Sequence, residues 1–358
     1  MKRILIAPLN WGLGHVTRCI PLIHTLEKLG AEPVLASDGV ALHLLRAEFP
    51  HLTAVELPSY RIRYEKPNMV LNIGMQLPRI LYAIRAEHET TERLSLKHNI
   101  CGIISDNRYG CFSKHIPSVV LTHQLNLKVP NRGIEWSANR LLRIALSKFN
   151  EVWVPDALEE PRLSGVLSQR HQADKHTRFI GILSRMERYE QDQEYDVAVV
   201  LSGPEPQRTI LEQRLIEQAI GMPSLRFIFI QGKTQAKQHH YAADNVEVVS
   251  YLTSRELNDV LLASNAVVCR SGYSSIMDLA VLGKKAILIP TPGQTEQEYL
   301  AKFLSEKNIF VTQNQTDIDL ESGLDSLDYT LGLQPQMFDK QAFEPILKNW
   351  LGSLKFKV

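Results

Sequence analysis

Short runs of continuous apolar residues alternate along the chain with longer stretches in which apolar residues recur every three or four positions. The short runs are typical of strands buried on both faces of a parallel sheet, and the longer stretches are typical of helices with one buried stripe. The predicted strands lie at residues 4–9, 33–37, 101–105, 118–122, 151–155, 178–183, 195–202, 225–230, 246–252, 266–269 and 286–289. The predicted helices lie at residues 19–30, 41–48, 136–149, 209–219, 254–263, 276–282 and 342–351. This alternation predicts an α/β fold class with parallel strands.

A charged stretch at residues 184–194 separates these strands and helices into two series. A chain of 358 residues is long for one ordinary hydrophobic core and suits two domains. We therefore predict an amino-terminal domain at residues 1–185 and a carboxyl-terminal domain at residues 192–335.

Charge and cysteine content narrow the function classes. Charged residues are 22% of the chain and the formal net charge is +1, so nucleic-acid binding is not indicated. Cys19, Cys101, Cys111 and Cys269 lie in apolar surroundings without Cys-x-x-Cys spacing, which is typical of reduced core residues in a cytoplasmic protein. Only six apolar residues follow the first three residues, so we expect a strand there and neither a signal peptide nor a membrane span.

The strand at residues 266–269 runs into the turn Arg270-Ser271-Gly272, and a helix follows. We expect Ser274 and Ser275 to cap that helix. Free N–H groups and the positive end of the dipole at a helix N-terminus suit a phosphate. Asp278 is expected to point its carboxylate toward the same crevice, where it could hold a ribose diol. The pattern predicts a nucleotide diphosphate site at the carboxyl ends of parallel strands.

This region also resembles the donor-binding half of the MurG-type glycosyltransferases. The resemblance rests on residues 267–272, the acidic residue six positions on, the spacing from Gly283 to Pro290, and the pair Gln297-Glu298. The sequence departs from the family pattern in two places, since it has Asp278 where Glu is usual and Gln297-Glu298 where Gln-Gln is usual. The second departure bears on the identity of the sugar.

The resemblance implies the GT-B fold, in which two Rossmann-like domains place parallel sheets on either side of a cleft. A terminal helix at residues 338–353 would pack back on the first domain. A hexosyl or N-acetylhexosaminyl group would pass from a UDP-sugar to an acceptor hydroxyl with inversion and without a metal or other cofactor. The acceptor would be lipid-linked or a small glycan. The protein would be cytoplasmic or peripheral to the inner face of the membrane.

The nucleotide-sugar-binding residues implied by the resemblance and by strand ends are spread over several loops. They are Gly14, Ser202, Gly203, Arg208, Gln231, Tyr251, Leu252, Arg270, Ser271, Gly272, Tyr273, Ser274, Ser275, Asp278, Gln294, Gln297 and Glu298. In this pattern Arg270 and the helix N-terminus would meet the charge that builds on the leaving phosphate, which makes a metal unnecessary. Asp317 and Asp319 form an Asp-x-Asp pair, but they follow the nucleotide crevice, so we assign them no metal.

The first predicted strand ends in a loop with glycines at positions 12 and 14 and a histidine at position 15. The glycines allow a ligand close to the backbone, although two glycines alone are a weak nucleotide signal. His15 or Thr17 is expected to cap the helix that follows. In the resembled family this histidine lies near the reacting centre, so His15 has two interpretations, a helix cap and a catalytic group.

Two other strands end in polar residues, Asp106 after residues 101–105 and His123 after residues 118–122. Because the carboxyl ends of parallel strands meet at one edge of a sheet, His15, Asp106 and His123 are candidates for one acid–base cluster. A carboxylate beside a histidine raises its basicity and fixes its tautomer, as a general base needs. The identity of the base among these three stays open, as does the alternative that Asp106 and Arg108 brace a turn.

Alternative functions also stay open. Residues 12–15 with Arg18 resemble the nucleotide-sugar hydrolases of the same fold, in which the loop histidine activates water. A non-catalytic nucleotide-sugar-binding protein is a second alternative. The basic amphipathic helix at residues 136–149 fits either an ordinary domain helix or a peripheral membrane contact through the amino-terminal domain.

Overall fold

The computed structural model describes residues 1–60, 69–129, 131–160, 162–169, 176–233 and 238–355. The chain forms two compact units. The first unit comprises Met1–Ser184 together with Asp339–Val358, and the second comprises Arg185–Phe338.

The described part of the first unit contains a parallel sheet of seven strands in the order β3-β2-β1-β4-β5-β6-β7. The strands are β1 (Arg3–Pro8), β2 (Glu32–Ser37), β3 (Thr53–Glu56), β4 (Ile100–Asp106), β5 (Ser118–Leu121), β6 (Glu151–Val154) and β7 (Thr177–Phe179). The residues of β4 and β5 are buried throughout, as expected for continuous apolar runs in a sheet covered on both faces. The order reverses between β1 and β4, and in open α/β sheets ligands bind beside the carboxyl ends of the strands at such a reversal.

Helices cover this sheet, and they are numbered along the whole chain. Those of the first unit are α1 (Gly14–Lys28), α2 (Gly39–Glu48), α3 (Met69–Lys97), α4 (Arg132–Leu146), the 3₁₀ turn Gly165–Ser168 and, at the end of the chain, α10 (Phe343–Ser353). Helix α10 buries Phe343, Leu347 and Trp350 in the same core as residues of β1 and α1. The Trp350 ring meets the Trp153 ring edge-on at 5.6 Å, so the terminal helix belongs to the core of the first unit.

The second unit has, within its described residues, a sheet of seven strands in the order β10-β11-β9-β8-β12-β13-β14. The strands are β8 (Tyr195–Val200), β9 (Phe227–Ile230), β10 (His239–Ala243), β11 (Val246–Val249), β12 (Ser264–Cys269), β13 (Lys285–Leu288) and β14 (Val311–Thr312). The edge strand β10 is antiparallel to β11, and the other pairs are parallel. Here the order reverses between β8 and β12.

The helices of the second unit follow the same alternation. They are α5 (Gln207–Ile220), α6 (Ser254–Leu262), α7 (Tyr273–Leu282), α8 (Thr295–Glu306), α9 (Leu320–Ser326) and the 3₁₀ turns Leu327–Tyr329 and Pro335–Met337. The predicted α/β class with two series of parallel strands is confirmed.

Two local predictions are wrong. Helix α1 begins at Gly14 after the N-cap residue Leu13, which has no side-chain cap, so neither His15 nor Thr17 caps it. Thr17 instead donates its hydroxyl to the Gly14 carbonyl at 3.0 Å. In the second unit α7 begins after Gly272, so Ser274 lies inside the first turn and is not the cap.

Two features of the composition have structural counterparts. The four cysteines are buried and unpaired, as predicted. Across the described ranges, no helix combines the length and apolar character needed to cross a membrane.

Candidate functional site

His15, Arg18 and Asp106 meet at the point where the strand order of the first sheet reverses. Asp106 ends β4 and lies opposite Pro8, the last residue of β1, while His15 lies in the first turn of α1. The His15 Nδ1 atom is 2.8 Å from Asp106 Oδ1. Arg18, one helical turn further, donates Nε to Asp106 Oδ2 at 2.5 Å and Nη2 to Oδ1. The expected convergence of strand-end residues is therefore present for His15 and Asp106.

His123 belongs to the same group through Arg18. Its Nδ1 atom lies 3.3 Å from Arg18 Nη1, in the loop that follows β5. We call these four residues the His15 cluster: His15, Arg18, Asp106 and His123. Its members differ in exposure, because the side chain of His15 is 16% exposed whereas Asp106 is fully buried. His15 is thus the member best placed to meet a substrate.

The electrostatics of the His15 cluster fix the charge of Asp106. Burial by itself would raise the pKa of this carboxyl, but Arg18 and then His15 outweigh burial and lower the pKa to about 2. Asp106 is therefore a carboxylate at any ordinary pH. Such a weak base is unsuited to abstract a proton, but it can orient and stabilise an imidazole.

Arg108 has a different environment from Asp106. Its buried guanidinium donates to Glu87 Oε1 at 2.5 Å, to Asp38 Oδ1 at 2.6 Å and to the Pro58 carbonyl at 2.7 Å. The oxygens of Asp106 bond instead to Arg18 and His15. The interpretation in which Asp106 and Arg108 brace one turn therefore does not fit, since only Arg108 serves as a brace.

In the second unit, α7 begins at the carboxyl end of β12 beside the strand-order reversal. Its N-cap residue is Gly272, which has no side chain to accept the first N–H groups of the helix. These groups and the helix dipole make this end attractive to an anion. Asp278 lies half-buried further along α7. Burial first, and then the Asp278 carboxylate, raise the pKa of Cys269, the last residue of β12, to about 12.

Two buried polar atoms next to Gly203 have no hydrogen-bond partner among the described residues. They are Thr291 Oγ1 and Arg270 Nε. Gly203 has φ of +104°, and a Cβ added there would lie 3.4 Å from Thr291 Oγ1 and 3.9 Å from Arg270 Nε. Both atoms can donate a hydrogen bond, and buried donors are rarely left unpaired. This group, the Gly203 site (Gly203, Arg270 and Thr291), therefore suits a ligand oxygen that approaches the backbone closely.

Most of the Arg270 guanidinium is committed to the protein. Nη1 donates to the carbonyls of Ile289 and Pro290 at 3.2 Å each, and Nη2 donates to the Gln207 carbonyl at 3.0 Å and to Gln315 Oε1 at 2.6 Å. Burial lowers the pKa of Arg270 to about 10, so it stays charged near neutrality. Among the described contacts, Nε is the donor of Arg270 that remains for a ligand, so the predicted phosphate role stays a prediction for that atom.

The prediction that Arg208 contacts the nucleotide sugar is corrected. Arg208 donates Nε to Glu205 Oε1 and Nη1 to Glu212 Oε2, both at 2.7 Å. The Gln231 amide donates to the other oxygen of Glu212. Because two carboxylates already neutralise Arg208, a phosphate placed there would meet negative charge, and Gln231 is held in the same network.

The predicted sugar-contacting residues after β13 hold their own loop. Gln297 accepts from the Thr291 N–H at 2.8 Å and donates to Gln294 Oε1 at 2.6 Å. Glu298 accepts from the Gly293 N–H at 2.8 Å. Gln294, Gln297 and Glu298 thus shape the turn that presents Thr291.

The other predicted donor-site residues have varied surroundings. Ser202 is exposed after β8. Tyr251 and Leu252 are half-buried in a loop, because β11 ends at Val249 and not at residue 252 as predicted. Ser271 donates its hydroxyl to the Gln297 carbonyl at 2.8 Å. Tyr273 is buried and Ser275 is half-buried in the first turn of α7. Gly14, by contrast, belongs to the first unit, as the first residue of α1.

Thr291 was not predicted as a site residue, and Arg18 was named only in the resemblance to the nucleotide-sugar hydrolases. Arg18 lies three residues after His15 in the same helix, so the spacing places both on one face. Thr291 directly follows Pro290 at the end of β13, where the strand-end rule applied elsewhere would have identified it. Among the described residues, no group of three or more His, Cys, Asp or Glu side chains is arranged to hold a metal ion.

Comparison with known proteins shows that the second unit is similar in sequence to glycosyltransferases. Residues 200–340 match the glycosyltransferase family 28 C-terminal domain. The UDP-N-acetylglucosamine--N-acetylmuramyl-(pentapeptide) pyrophosphoryl-undecaprenol N-acetylglucosamine transferase of Sulfurihydrogenibium sp. is 27% identical over 142 residues, 39% of this chain and 40% of that protein. The enzyme of the same name from Desulforudis audaxviator is 42% identical over 72 residues, 20% of this chain and 19% of that protein. The chain thus matches less than half the length of these curated relatives.

Solved structures resemble nearly the whole chain. The kitacinnamycin glycotransferase has a TM-score of 0.64 at 14% identity and covers 98% of this chain and 95% of its own. MurG of Acinetobacter baumannii has a TM-score of 0.54 at 12% identity, with 100% and 96% covered. The spinosyn rhamnosyltransferase SpnG, solved with thymidine diphosphate, has a TM-score of 0.61 at 15% identity, with 99% and 97% covered. The MurG-type resemblance and the GT-B type of α/β fold are confirmed.

Proposed function

We propose that the protein is a glycosyltransferase that moves a hexosyl or N-acetylhexosaminyl group from a UDP-sugar to an acceptor hydroxyl with inversion. The observation that carries this proposal is the Gly203 site, with its two buried donors near the start of α7. It lies within the segment that matches the family 28 C-terminal domain. The relatives named above are transferases of UDP-N-acetylglucosamine, which favours uridine as the nucleoside.

The second unit would bind the donor. Its diphosphate would accept hydrogen bonds from Thr291 Oγ1, Arg270 Nε and the N–H groups that begin α7. Asp278 would hold the ribose, and Tyr251 and Leu252 would contact the uracil. Because α7 offers the positive end of its dipole, the charge that builds on the leaving phosphate would be stabilised without a metal ion.

The first unit would supply the base. The acceptor hydroxyl would give its proton to His15 Nε2 as its oxygen forms a bond to the anomeric carbon. The bond from that carbon to the β-phosphate oxygen would break, and UDP would leave with the electron pair. Asp106 would stabilise the imidazolium, and attack opposite to the leaving group gives inversion.

Thr291→Val tests the donor site with little disturbance of the fold. Among the described residues the Thr291 hydroxyl has no hydrogen-bond partner, so its loss should leave the free energy of unfolding unchanged or slightly higher. A hydrogen bond to a charged group is worth about 1.5–3 kcal/mol, so UDP affinity measured by calorimetry should fall about 10- to 100-fold.

Thr312→Val is the matched control. The Thr312 hydroxyl donates to the Ala301 carbonyl at 3.1 Å, so this variant should lose stability and keep its UDP affinity. A Thr291→Val protein that binds UDP as tightly as the wild type would contradict the assignment of the diphosphate to the Gly203 site.

We further propose that the acceptor is lipid-linked. The first unit would reach it by docking on an anionic membrane surface. Helix α4 exposes Trp136, Leu141 and Ile144 by 61%, 54% and 52%. Its charged residues are three arginines and one glutamate, and Arg140 lies over the Trp136 ring at 5.7 Å. Exposed apolar residues among cations suit an anionic interface. The names of the curated relatives, with their pyrophosphoryl-undecaprenol substrate, point to the same acceptor class.

Vesicle sedimentation tests this docking. Trp136→Ser and Leu141→Ser should each reduce binding to vesicles that contain phosphatidylglycerol, and neutral vesicles should bind less wild-type protein. Leu331→Ser changes a leucine of the second unit that is 70% exposed and should have no effect. Equal sedimentation of all variants would contradict the membrane role and favour a soluble glycan acceptor.

A further inference from the structure

We propose that Arg18 is a positioning residue that fixes which nitrogen of each histidine in the His15 cluster carries the proton, so that His15 alone can act as the base. The inference rests on the proposed function and deepens it. Arg18 is 2% exposed and is the member of the cluster that contacts the other three.

The contact between Arg18 and His123 determines the state of His123. A guanidinium has donors and no acceptor and remains charged in proteins. At 3.3 Å from Arg18 Nη1, the Nδ1 atom of His123 must therefore be the acceptor. The proton of a neutral His123 then lies on Nε2. His123 cannot bind a second proton at Nδ1 while Arg18 occupies that lone pair, so it is excluded as the base.

The two oxygens of Asp106 are occupied in a similar way. Arg18 donates to both, and His15 Nδ1 lies against Oδ1. A fully buried carboxylate held by a bidentate guanidinium is a strong acceptor and a weak base. Asp106 is thereby excluded as the group that takes the acceptor proton.

For His15 the arrangement has the opposite consequence. Its Nδ1 atom is 2.8 Å from both Asp106 Oδ1 and Arg18 Nη2, and Nη2 itself donates to Oδ1. Both nitrogens therefore converge on one charged oxygen, which is a stronger acceptor than an imidazole nitrogen. Nδ1–H of His15 donates to Asp106, and Nε2 keeps the lone pair that a base needs.

The positive charge of Arg18 should also change the pH dependence of kcat. A cation beside His15 disfavours the imidazolium, so His15 is neutral at lower pH than it would be next to Asp106 alone. Besides its own members, the His15 cluster has the titratable groups Cys19 and Tyr109 next to Asp106 in the described structure. A base works when it is neutral, so loss of Arg18 should move the low-pH limb of kcat to higher pH.

The direct test is long-range ¹H–¹⁵N NMR of the full-length protein labelled with ¹⁵N-histidine, without any nucleotide sugar. Signals would be assigned with His15→Asn and His123→Asn. We expect the wild type to show His123 with its proton on Nε2 and His15 with its proton on Nδ1. Either histidine in the other tautomer would overturn the proposal, and no substitution of Arg18 is needed to reach that result.

Variants of Arg18 test whether this residue is the cause of the histidine tautomers. Arg18→Met removes all donors and should let His123 populate both tautomers, with kcat reduced at least about tenfold and KM for the UDP-sugar nearly unchanged. Arg18→Lys keeps one charge and should recover part of kcat but not the His123 tautomer. Arg3→Met, which removes an ion pair with Glu32 at 2.8 Å, is the control and should leave both histidines unchanged.

The outcomes separate this inference from the proposed function. The expected tautomers together with no glycosyl transfer from any UDP-sugar would preserve the role of Arg18 and remove the proposed function. Glycosyl transfer together with a His123 tautomer that Arg18→Met does not change would preserve the function and overturn the role of Arg18.

Discussion

A buried arginine lies beside the strand-order reversal of each sheet, Arg18 in the first unit and Arg270 in the second, and the two have different partners. Arg18 in the first unit is paired with the carboxylate of Asp106. Arg270 in the second unit donates to three carbonyls and to Gln315, and its Nε and the neighbouring Thr291 hydroxyl have no described partner. A charge with a carboxylate partner is satisfied within the protein, whereas a buried cation bonded only to neutral groups favours an anion.

The difference assigns a separate task to each region. In the first unit the pKa of Asp106 is lowered to about 2 because Arg18 and His15 outweigh burial, so Asp106 is ionised beside His15, as the proposed proton transfer requires. In the second unit burial lowers the pKa of Arg270 to about 10, and the hydrogen bonds described for its guanidinium go to neutral groups. The Gly203 site is thus suited to bind a phosphate and the His15 cluster to move a proton.

His15→Ala gives the largest expected effect and tests whether the two tasks are separate. A general base contributes about 10²–10⁴-fold to turnover, so kcat should fall by that factor. UDP affinity and the midpoint of urea unfolding should stay close to wild type, because His15 does not cap α1. A stable, UDP-binding variant with full turnover would remove His15 from the chemistry.

Arg270→Met should act mainly on stability. The substitution leaves the carbonyls of Ile289, Pro290 and Gln207 without their donor inside the second unit. Each unsatisfied buried group costs about 1–3 kcal/mol, so the free energy of unfolding should drop by several kcal/mol in urea titrations. Retained stability with only a loss of UDP affinity would show that Arg270 is chiefly a ligand group, as the sequence alone predicts.

Asp106→Asn tests the lowered pKa of Asp106 through the pH dependence of stability. The folded pKa of about 2 lies below the ordinary value of 3.8, so the ionised carboxylate stabilises the fold above pH 4. That contribution, on the order of 2 kcal/mol, is lost as the pH falls from about 4 to 2. The wild type should therefore lose this stability in acid and the variant should not. Parallel acid-unfolding curves for the two proteins would contradict the lowered pKa.

A chelator should have the smallest effect. If the α7 N-terminus, Thr291 and Arg270 stabilise the leaving phosphate, turnover should survive excess EDTA. Asp319 accepts from the Ser322 N–H at 3.0 Å as the cap of α9, and Asp317 accepts from the Thr316 hydroxyl. Loss of turnover in EDTA that Mg²⁺ restores would reverse this view and return attention to the pair Asp317 and Asp319.

The sequence predicted most of the fold because most strands are continuous apolar runs. It missed β3, β10 and β14, and β3 is four residues long with neither end buried. Four of the five residues of β10 are exposed at a sheet edge, three of them His or Tyr, and β14 has two residues, so neither has a hydrophobic pattern to detect. The early start of α1 was missed because its N-cap residue, Leu13, has no capping side chain.

The candidate site was predictable only as far as strand ends determine it. The rule that polar residues at the ends of parallel strands converge led to His15 and Asp106. It could not reveal that Arg270 is held by Gln207 and Gln315, since these contacts join distant parts of the chain. The ion pairs of Arg208 could have been predicted from the sequence, because its carboxylate partners lie three residues before and four residues after it.

The central claim, transfer of a sugar from a UDP-sugar to an acceptor hydroxyl, is tested most directly by following a labelled sugar. The protein would be incubated with UDP-sugars labelled in the sugar, with and without a bacterial lipid extract, and the UDP and the label would both be measured. We predict UDP release that depends on the extract, with label in the lipid fraction. Equal release of UDP and free sugar without extract would identify a hydrolase, and binding without UDP release would identify a non-catalytic protein; either result would contradict the claim.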